Sequence, residues 1–447
     1  MALLGSFALP LESDWTVASH ARPCIELTTL ERAVHKDFAA GNLMAHQNGD
    51  RVTESSRSGS SLAWGRGDRL AVCYGTRPQV IKASVLMETL ARRWPLLTID
   101  TGQHFDDQLQ RVFYTQLGVP EPEYCLEVRA TNSAQQVADI LTRASQIFAR
   151  ERPWAVVVLG DTNSTLGCAL AAAQMRIPVV HVEAGLRVGD PLMIEEINRR
   201  VVDAIGAVLC APSVAAAERL RSERVVGTVV HTGDVARDVL ARFSARAAPV
   251  ASFDWWPMSP TEPFVFATLH RAELMNDPSV LRGVLAGLGE PGLPVVLPAH
   301  PRLRAALASG AIGSIPPSIQ ILSPLGYFEA LACTREAAAV VTDSGGLQRE
   351  AYWLGTPCVT VRDETEWTET VELDANIVVS PRSAALSLPR ALAQQVQTPA
   401  TRRTWDRDAY GAGDAAERIG DAIHAFATQR HSRLSDEDGD VSVWSRR

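Results

Sequence analysis

From residue 69 onward the chain repeats one pattern: a short apolar run, then roughly ten to twenty residues with helical spacing. "RLAVCYG", "PLLTIDTG", "WAVVVLGD", "IPVVHVEAG" and "AVLCAPS" read as strands. Between them "TRPQVIKASVLMETLARR", "FDDQLQRVFYTQLG", "NSAQQVADILTRASQIFARE", "STLGCALAAAQMR" and "EEINRRVVDAIG" read as helices, with Pro78 in the first turn of the first one. Near residue 235 the pattern restarts with the strands "PFVFATLHR", "LPVVLPAHP", "SIQILSP", "AAVVTDS" and "TPCVTVRD". Alternation of this kind builds βαβ units and parallel sheets, and two such series predict an α/β chain of two Rossmann-like domains whose sheets face a central cleft. The predicted domains are 69–235 and 236–405, followed by a helix over 406–426. Residues 1–68 form an extension of unassigned fold with a Ser/Gly-rich linker, and 427–447 read as a disordered tail.

Bulk properties exclude some functions. With 43 Lys+Arg against 51 Asp+Glu the net charge is −8, and no basic face is visible, so a sequence-independent nucleic-acid binder is not expected. Seven widely spaced cysteines without a C-x-x-C pair argue against a disulfide framework or a zinc site and suit a reducing cytosol. "MALLGSFALPLESDW" lacks the basic start of a signal peptide, and no run approaches the ~20 apolar residues of a membrane span. A cytoplasmic location without membrane contact is expected.

Two helix starts suit an anion. In "VVTDSGGLQREAYWLGTPCVTVRD" (340–363) a strand ends at Thr342, Ser344 is placed to cap, and Gly345 and Gly346 open a helix that Gly355 closes before Pro357. Backbone N–H groups unobstructed by side chains, at the positive end of a helix, bind phosphate; an ordinary capped helix has the same look. In "YGTRPQVIK" (74–82) Arg77 and Lys82 flank another helix start, either as a diphosphate grip or as a plain surface pair. Asp161 in "VLGDTNSTLG" serves equally as a cap or as an acid. Glu183 ends the run "VVHVE", with Glu195 and Glu196 just before the next helix, and histidines 104, 270 and 300 close other strands. Each has a plain structural explanation. Together, Asp161, Glu183, His270, His300 and Ser344 fall at the carboxyl ends of predicted strands, which describes acid/base chemistry on a phosphorylated substrate. No G-x-G-x-x-G follows a strand, and "GAGDAA" (411–416) is not placed to be one.

With these residues assembled, the chain resembles the UDP-N-acetylglucosamine 2-epimerase family. The resemblance is carried by "GTRPQVIK", "TGQHFD", "GDTNSTLG", "HVEAGLR", "EEINRR", "LHRAE", "PAHPR", "DSGGLQREA", "LGTPCVTVRDETEW" and "YGAGDAAERI", in that order. It implies a GT-B-like fold whose C-terminal helix crosses back to the first domain, a UDP-sugar substrate, no cofactor, no metal and a homodimer. It also implies loss of the C2 proton and of UDP to give 2-acetamidoglucal, then return of UDP with C2 inverted. Asp161, Glu183 and Glu195 match the family's catalytic acids and His270 its catalytic histidine, with base and acid unassigned. Arg77, His300, Ser344, Gly345 and Gly346 would hold the diphosphate and Glu350 the ribose. Lys82, Gln103, His104, Arg187, Asn198, Arg271, Tyr327, Arg362, Thr365 and Glu366 are further lining candidates.

The chain departs from the pattern at Arg349, where many members carry an acid, at Ala330, where an aromatic often holds the uracil, and at Leu274, in place of Asn. "TGQHFDDQL" differs from the "QHREM" of members with an allosteric substrate site. Within the family the outcome is either UDP-ManNAc or hydrolysis to free N-acetylmannosamine, and the substrate could be a UDP-diacetamido-uronate, for whose carboxylate the sequence shows no extra basic group. A GT-B glycosyltransferase and a nucleotide-sugar sensor are the readings from other classes, both disfavoured by the retained acids.

Overall fold

A computed structural model describes residues 68–103, 114, 117–259, 262–397 and 405–444. Most of the helix expected over 105–118 lies outside them, as does His104. The first sheet holds β1 (Leu70–Tyr74), β2 (Leu96–Asp100), β3 (Tyr124–Cys125), β4 (Ala155–Leu159), β5 (Val179–Val182), β6 (Val208–Ala211) and β7 (Thr228–His231) in the order β3-β2-β1-β4-β5-β6-β7. The second holds β8 (Val265–Thr268), β9 (Val295–Pro298), β10 (Ile319–Leu322), β11 (Ala339–Thr342), β12 (Cys358–Val361) and β13 (Asn376–Val379) in the order β10-β9-β8-β11-β12-β13. Every strand pair is parallel. β1, β4, β5, β11 and β12 are buried along their whole length, which is why they read as uninterrupted apolar runs.

Each sheet reverses its winding once, between β1 and β4 in the first and between β8 and β11 in the second. At such a point the neighbouring loops part and leave a crevice beyond the carboxyl ends of the strands. The turns that leave β4, β8 and β11 carry Asp161, His270 and Ser344, and Arg77 opens the helix that follows β1. The topology itself gathers these candidates.

The helix Val235–Phe243 begins where the second domain was expected, yet it packs on the helix Arg77–Ala91 of the first half. The last helix also returns there, against Arg77–Ala91, Val235–Phe243 and β6. Ile419, Ile423 and Ala427 bury its inner face, Arg92 and Arg93 pair with Glu417 and Asp421 at 2.8 and 2.7 Å, and Asp238 accepts the N–H groups of Ala415 and Ala416. The helix spans Ala415–Trp444, so it outruns the expected 406–426 and takes in residues read as a disordered tail. Burial of Ala427 and the bond from Arg430 Nη1 to the Trp154 carbonyl, 3.2 Å, carry it past that point.

Two stretches of chain join the halves and touch where they cross. Gly233 and Gly411 both have positive φ, and a Cβ on Gly411 would meet the Gly233 Cα at 3.0 Å, so only glycine fits. The Asp234 N–H donates to the Tyr410 carbonyl at 2.9 Å beside them.

Candidate active site

Between the halves lies a cavity of about 400 Å³. From the first half it is lined by Lys82, Gln103, Asp161, Glu183, Glu195 and Asn198, and from the second by His270, Arg271, Ser344, Gly345, Gly346 and Glu366. Twelve of the proposed site residues thus share one wall-to-wall space.

Glu183 sits at the centre of the charge. It is buried and has φ +70, a conformation that strains any side-chain-bearing residue by about 1–3 kcal/mol. The sharp turn after β5 places its oxygens between two cations: Oε2 lies 2.6 Å from Lys82 Nζ and Oε1 2.8 Å from Arg349 Nη1. Burial alone would raise its pKa, but the two cations outweigh that and hold it down at about 2. It is a fixed anion.

Asp161 follows β4 and pairs with Arg199, while Asn198 Nδ2 donates to the Asp161 carbonyl at 2.8 Å. Glu195 opens the helix Ile194–Ile205 on the cavity wall, exposed and without a partner among the described residues. Its neighbour Glu196 is fully buried and does the structural work, holding Arg199 at 3.3 Å, Arg200 at 2.8 Å and the Val188 N–H at 3.0 Å. The acidic doublet is therefore split in role. Gln103 Oε1 accepts from Ser164 Oγ at 2.6 Å and from its N–H at 2.9 Å.

Across the cavity, His270 Nδ1 lies 3.0 Å from Asp343 Oδ1, and Asp343 Oδ2 accepts the N–H groups of His270 and Arg271, each at 2.8 Å. Burial opposes a charged ring, but the carboxylate outweighs it and raises the His270 pKa. Burial would raise Asp343, and His270 lowers it instead. The helix Gly345–Leu354 begins beside them with its first amides on the cavity. A Cβ on Gly346 would have only Ser344 Oγ near it, at 3.8 Å, so the protein leaves that space empty, whereas one on Gly345 would strike Glu366 Oε1 at 2.8 Å. Glu366 is held at about 2, burial being outweighed by Arg362 and Arg199, and Arg362 Nη1 donates to it at 2.8 Å.

Other expected lining residues stand elsewhere. Arg187 does not reach the cavity: its guanidinium is taken by Asp203 at 2.7 Å and Glu223 at 2.5 Å. Tyr327 is buried next to Phe328 and Glu350 is half-buried; neither lines the cavity, and burial raises the Glu350 pKa. Thr365 Oγ1 donates to Gln348 Oε1 at 2.7 Å and Arg362 braces Glu366, so both support the wall from outside. His300 is exposed, with its ring centroid 6.5 Å from that of His270, and caps the helix Pro301–Ala308. Its pKa is lowered, by burial first and then by His270, Arg302 and Arg77. Arg77 stands on the same side, outside the cavity lining.

Sequence reasoning did not assign Arg199, Asp234, Asp343, Trp367 or Glu364. Arg199 had a signal, since it lies four residues after Glu195 on the same helix face. Glu364 had none: its carboxylate accepts the N–H groups of Gly189 and Asp190 at 2.7 and 3.0 Å across the cleft, a contact between loops far apart in sequence. Among the described residues, no group of three or more His, Cys, Asp or Glu side chains is arranged to hold a metal, and no helix is long and apolar enough to cross a membrane.

Two parallel-sheet domains on either side of a cleft, with a glycine-opened helix start suited to phosphate, define a GT-B-like fold. Residues 89–424 match the sequence model described as UDP-N-acetylglucosamine 2-epimerase. The chain is 36% identical over 366 residues to the UDP-2,3-diacetamido-2,3-dideoxy-D-glucuronate 2-epimerase of Pseudomonas aeruginosa, covering 79% of this chain and 99% of that one. It is 32% identical over 365 residues to the UDP-N-acetylglucosamine 2-epimerase of Methanocaldococcus jannaschii, covering 78% and 97%. The crystal structure of the M. jannaschii UDP-GlcNAc 2-epimerase with UDP-GlcNAc and UDP is similar with a TM-score of 0.70 at 30% identity, over 80% of this chain and 99% of that one. The chain belongs to the UDP-N-acetylglucosamine 2-epimerase family.

Proposed function

We infer that the protein inverts C2 of a UDP-linked 2-acetamido sugar, with UDP-GlcNAc as substrate, by eliminating and re-adding UDP. The observation that carries this reading is the opposition of three carboxylates to the His270–Asp343 pair and a helix start in one cavity. The C2 proton is not next to a carbonyl, so its loss gains nothing from an enolate. The C1–O bond has to break with it or ahead of it, leaving positive character at C1 and negative charge on the diphosphate.

Each wall answers one of these charges. Glu183, tied between Lys82 and Arg349, is a poor proton acceptor and a good counter-charge for C1. Asp161 and Glu195 are then the proton carriers, one removing the C2 proton and the other supplying a proton to the opposite face. The electron pair of the C2–H bond forms the C1–C2 double bond as UDP leaves with the C1–O pair. Return of a proton to C2 and of UDP to C1 completes the cycle with atoms conserved. His270, charged by Asp343, and the amides at Gly345 and Gly346 meet the departing diphosphate. Contacts across the cleft, Glu364 to the Gly189–Asp190 amides and Arg349 to Glu183, favour exclusion of water and hence the non-hydrolysing outcome.

One observation favours a second substrate. Arg271 lines the cavity and donates through Nε to the Asp343 carbonyl, while its terminal nitrogens have no partner among the described residues. That fork suits a sugar carboxylate, as on a UDP-diacetamido-uronate. Proton NMR in deuterated water distinguishes the readings. The expected result is UDP-ManNAc in equilibrium with UDP-GlcNAc, with deuterium at C2. Stoichiometric free N-acetylmannosamine would place the chain among hydrolysing enzymes, and turnover of the diacetamido-uronate alone would establish the second substrate.

Gly346→Ala isolates the diphosphate site, since the protein has room for the methyl and only a ligand would meet it. Titration calorimetry is expected to show UDP affinity at least ~10-fold weaker with an unchanged Tm, roughly the loss of one charge-assisted hydrogen bond. Native affinity would move the diphosphate away from this helix.

A further inference from the structure

Arg349 belongs to the second half of the molecule but spends its charge on the first. The side chain is 4% exposed and leaves the helix Gly345–Leu354 to reach Glu183 Oε1 at 2.8 Å and the carboxylate of Asp234, at the crossing of the two halves. On its other side the guanidinium carbon lies 3.8 Å from the centre of the Trp367 ring, which fixes the plane of the fork. Lys82, which grips the second oxygen of Glu183 at 2.6 Å, comes from the same half as Glu183 itself. One oxygen is thus held from within the domain and the other from across the cleft.

We propose that Arg349 is a positioning residue that keeps Glu183 ionised and aimed once contact of the two halves has excluded water from it, so that the counter-charge for the reacting sugar is set in place by closure. This rests on the reading of Glu183 as a member of the reaction machinery. A carboxylate buried in a dry site takes up a proton unless cations compensate it. Separation of the halves would carry Arg349 away with its helix and leave Glu183 with Lys82 and water. Contact restores the second cation at the same time as it excludes the water. The other charged groups that face this cluster are Asp234, at the start of the helix Val235–Phe243, and Glu350, on the helix of Arg349; both are acids and neither replaces the lost cation. Trp367 excludes water from the guanidinium face and leaves it no alternative anion there.

The test is the pH dependence of kcat and KM for C2 inversion, measured with UDP-GlcNAc, or with the diacetamido-uronate if that is the sugar turned over. Arg349→Met combined with Asp234→Asn removes the buried partners together and leaves neither uncompensated. Without Arg349 the Glu183 carboxyl is protonated at higher pH. The acid limb of kcat is expected to move up by about one to two pH units, with a loss that is small at pH 7 and grows as pH falls below about 4, and with KM within about threefold. Arg349→Lys keeps the charge but reaches one carboxylate only. It should show a smaller displacement in the same direction, and it decides the matter if the double variant does not fold. A profile that coincides with wild type, or a loss equal at every pH, overturns the proposal. Glu183→Gln measured in parallel separates the two levels. If it is inactive while the Arg349 variants keep the wild-type profile, only the role of Arg349 falls; if it retains turnover, the reading of Glu183 falls and the proposal with it.

Discussion

His270→Gln is expected to lower kcat by about 10²–10⁴-fold while leaving Tm nearly unchanged. The ring is 43% exposed and meets Asp343 through Nδ1 alone, so glutamine replaces it with little loss of packing. What disappears is a cation facing the leaving diphosphate. The sign of the pH effect follows from the raised pKa: the charged ring dominates below that value and is lost above it. Wild-type kcat should therefore fall on the alkaline side as His270 deprotonates, and His270→Gln should lack this limb. The stability share of the group runs the same way, present below its ordinary pKa and lost as pH rises through the raised one, and is small because solvent reaches the ring. Stopped-assay kcat values between pH 5.5 and 9 are the measurement. A variant with near-native turnover would remove the histidine from the chemistry.

Glu183→Gln is expected to cost both activity and stability. Removing a preorganised charge from beside C1 should lower kcat about 10²–10³-fold. Taking one partner from a buried ion pair costs about 3–5 kcal/mol; because Arg349 keeps Asp234, the lower end applies and Lys82 is the group left exposed to the loss. The direction with pH can be read from the lowered pKa. An ionised Glu183 contributes stability that is complete above its ordinary value of 4.5 and lost as pH falls towards about 2. Urea unfolding at pH 7 should show the full deficit, and by pH 3 the gap between variant and wild type should have narrowed by about half. Glu366, held in the same low range by Arg362, retains its own acid sensitivity in both. A constant difference between the two proteins over that range would show that Glu183 is not ionised by its neighbours.

The fold was legible where strands are buried on both faces. β1, β4, β5, β11 and β12 are continuous apolar runs, and period alone places them. β3, two residues long, and the edge strands β7 and β13, half buried and bounded by turns, gave no comparable signal. At the site, residues that follow a strand directly were readable, because a parallel sheet brings its carboxyl ends together. Glu183, Asp161, His270 and Ser344 are of this kind. Arg187 was not, since its distance in sequence from Asp203 and Glu223 hides the pairs that occupy it. Arg349 was visible as a departure from the family pattern, but its partners come from two remote segments, so its role waited for the tertiary structure. Tyr327, an aromatic close to the motif in sequence, is buried against the core.

The helix Ala415–Trp444 completes the first half of the molecule although it follows the whole of the second in the chain. A ribosome therefore delivers the first domain in two instalments. While the second domain is being made, the surface later covered by Ile419 and Ile423, next to Trp94, stays bare, and the nascent first domain lacks part of its core. Synthesis order and structural order are out of step in this protein. A gene fragment cut at the visible boundary between the halves would carry the second domain entire, and would leave the first without the helix that closes its core.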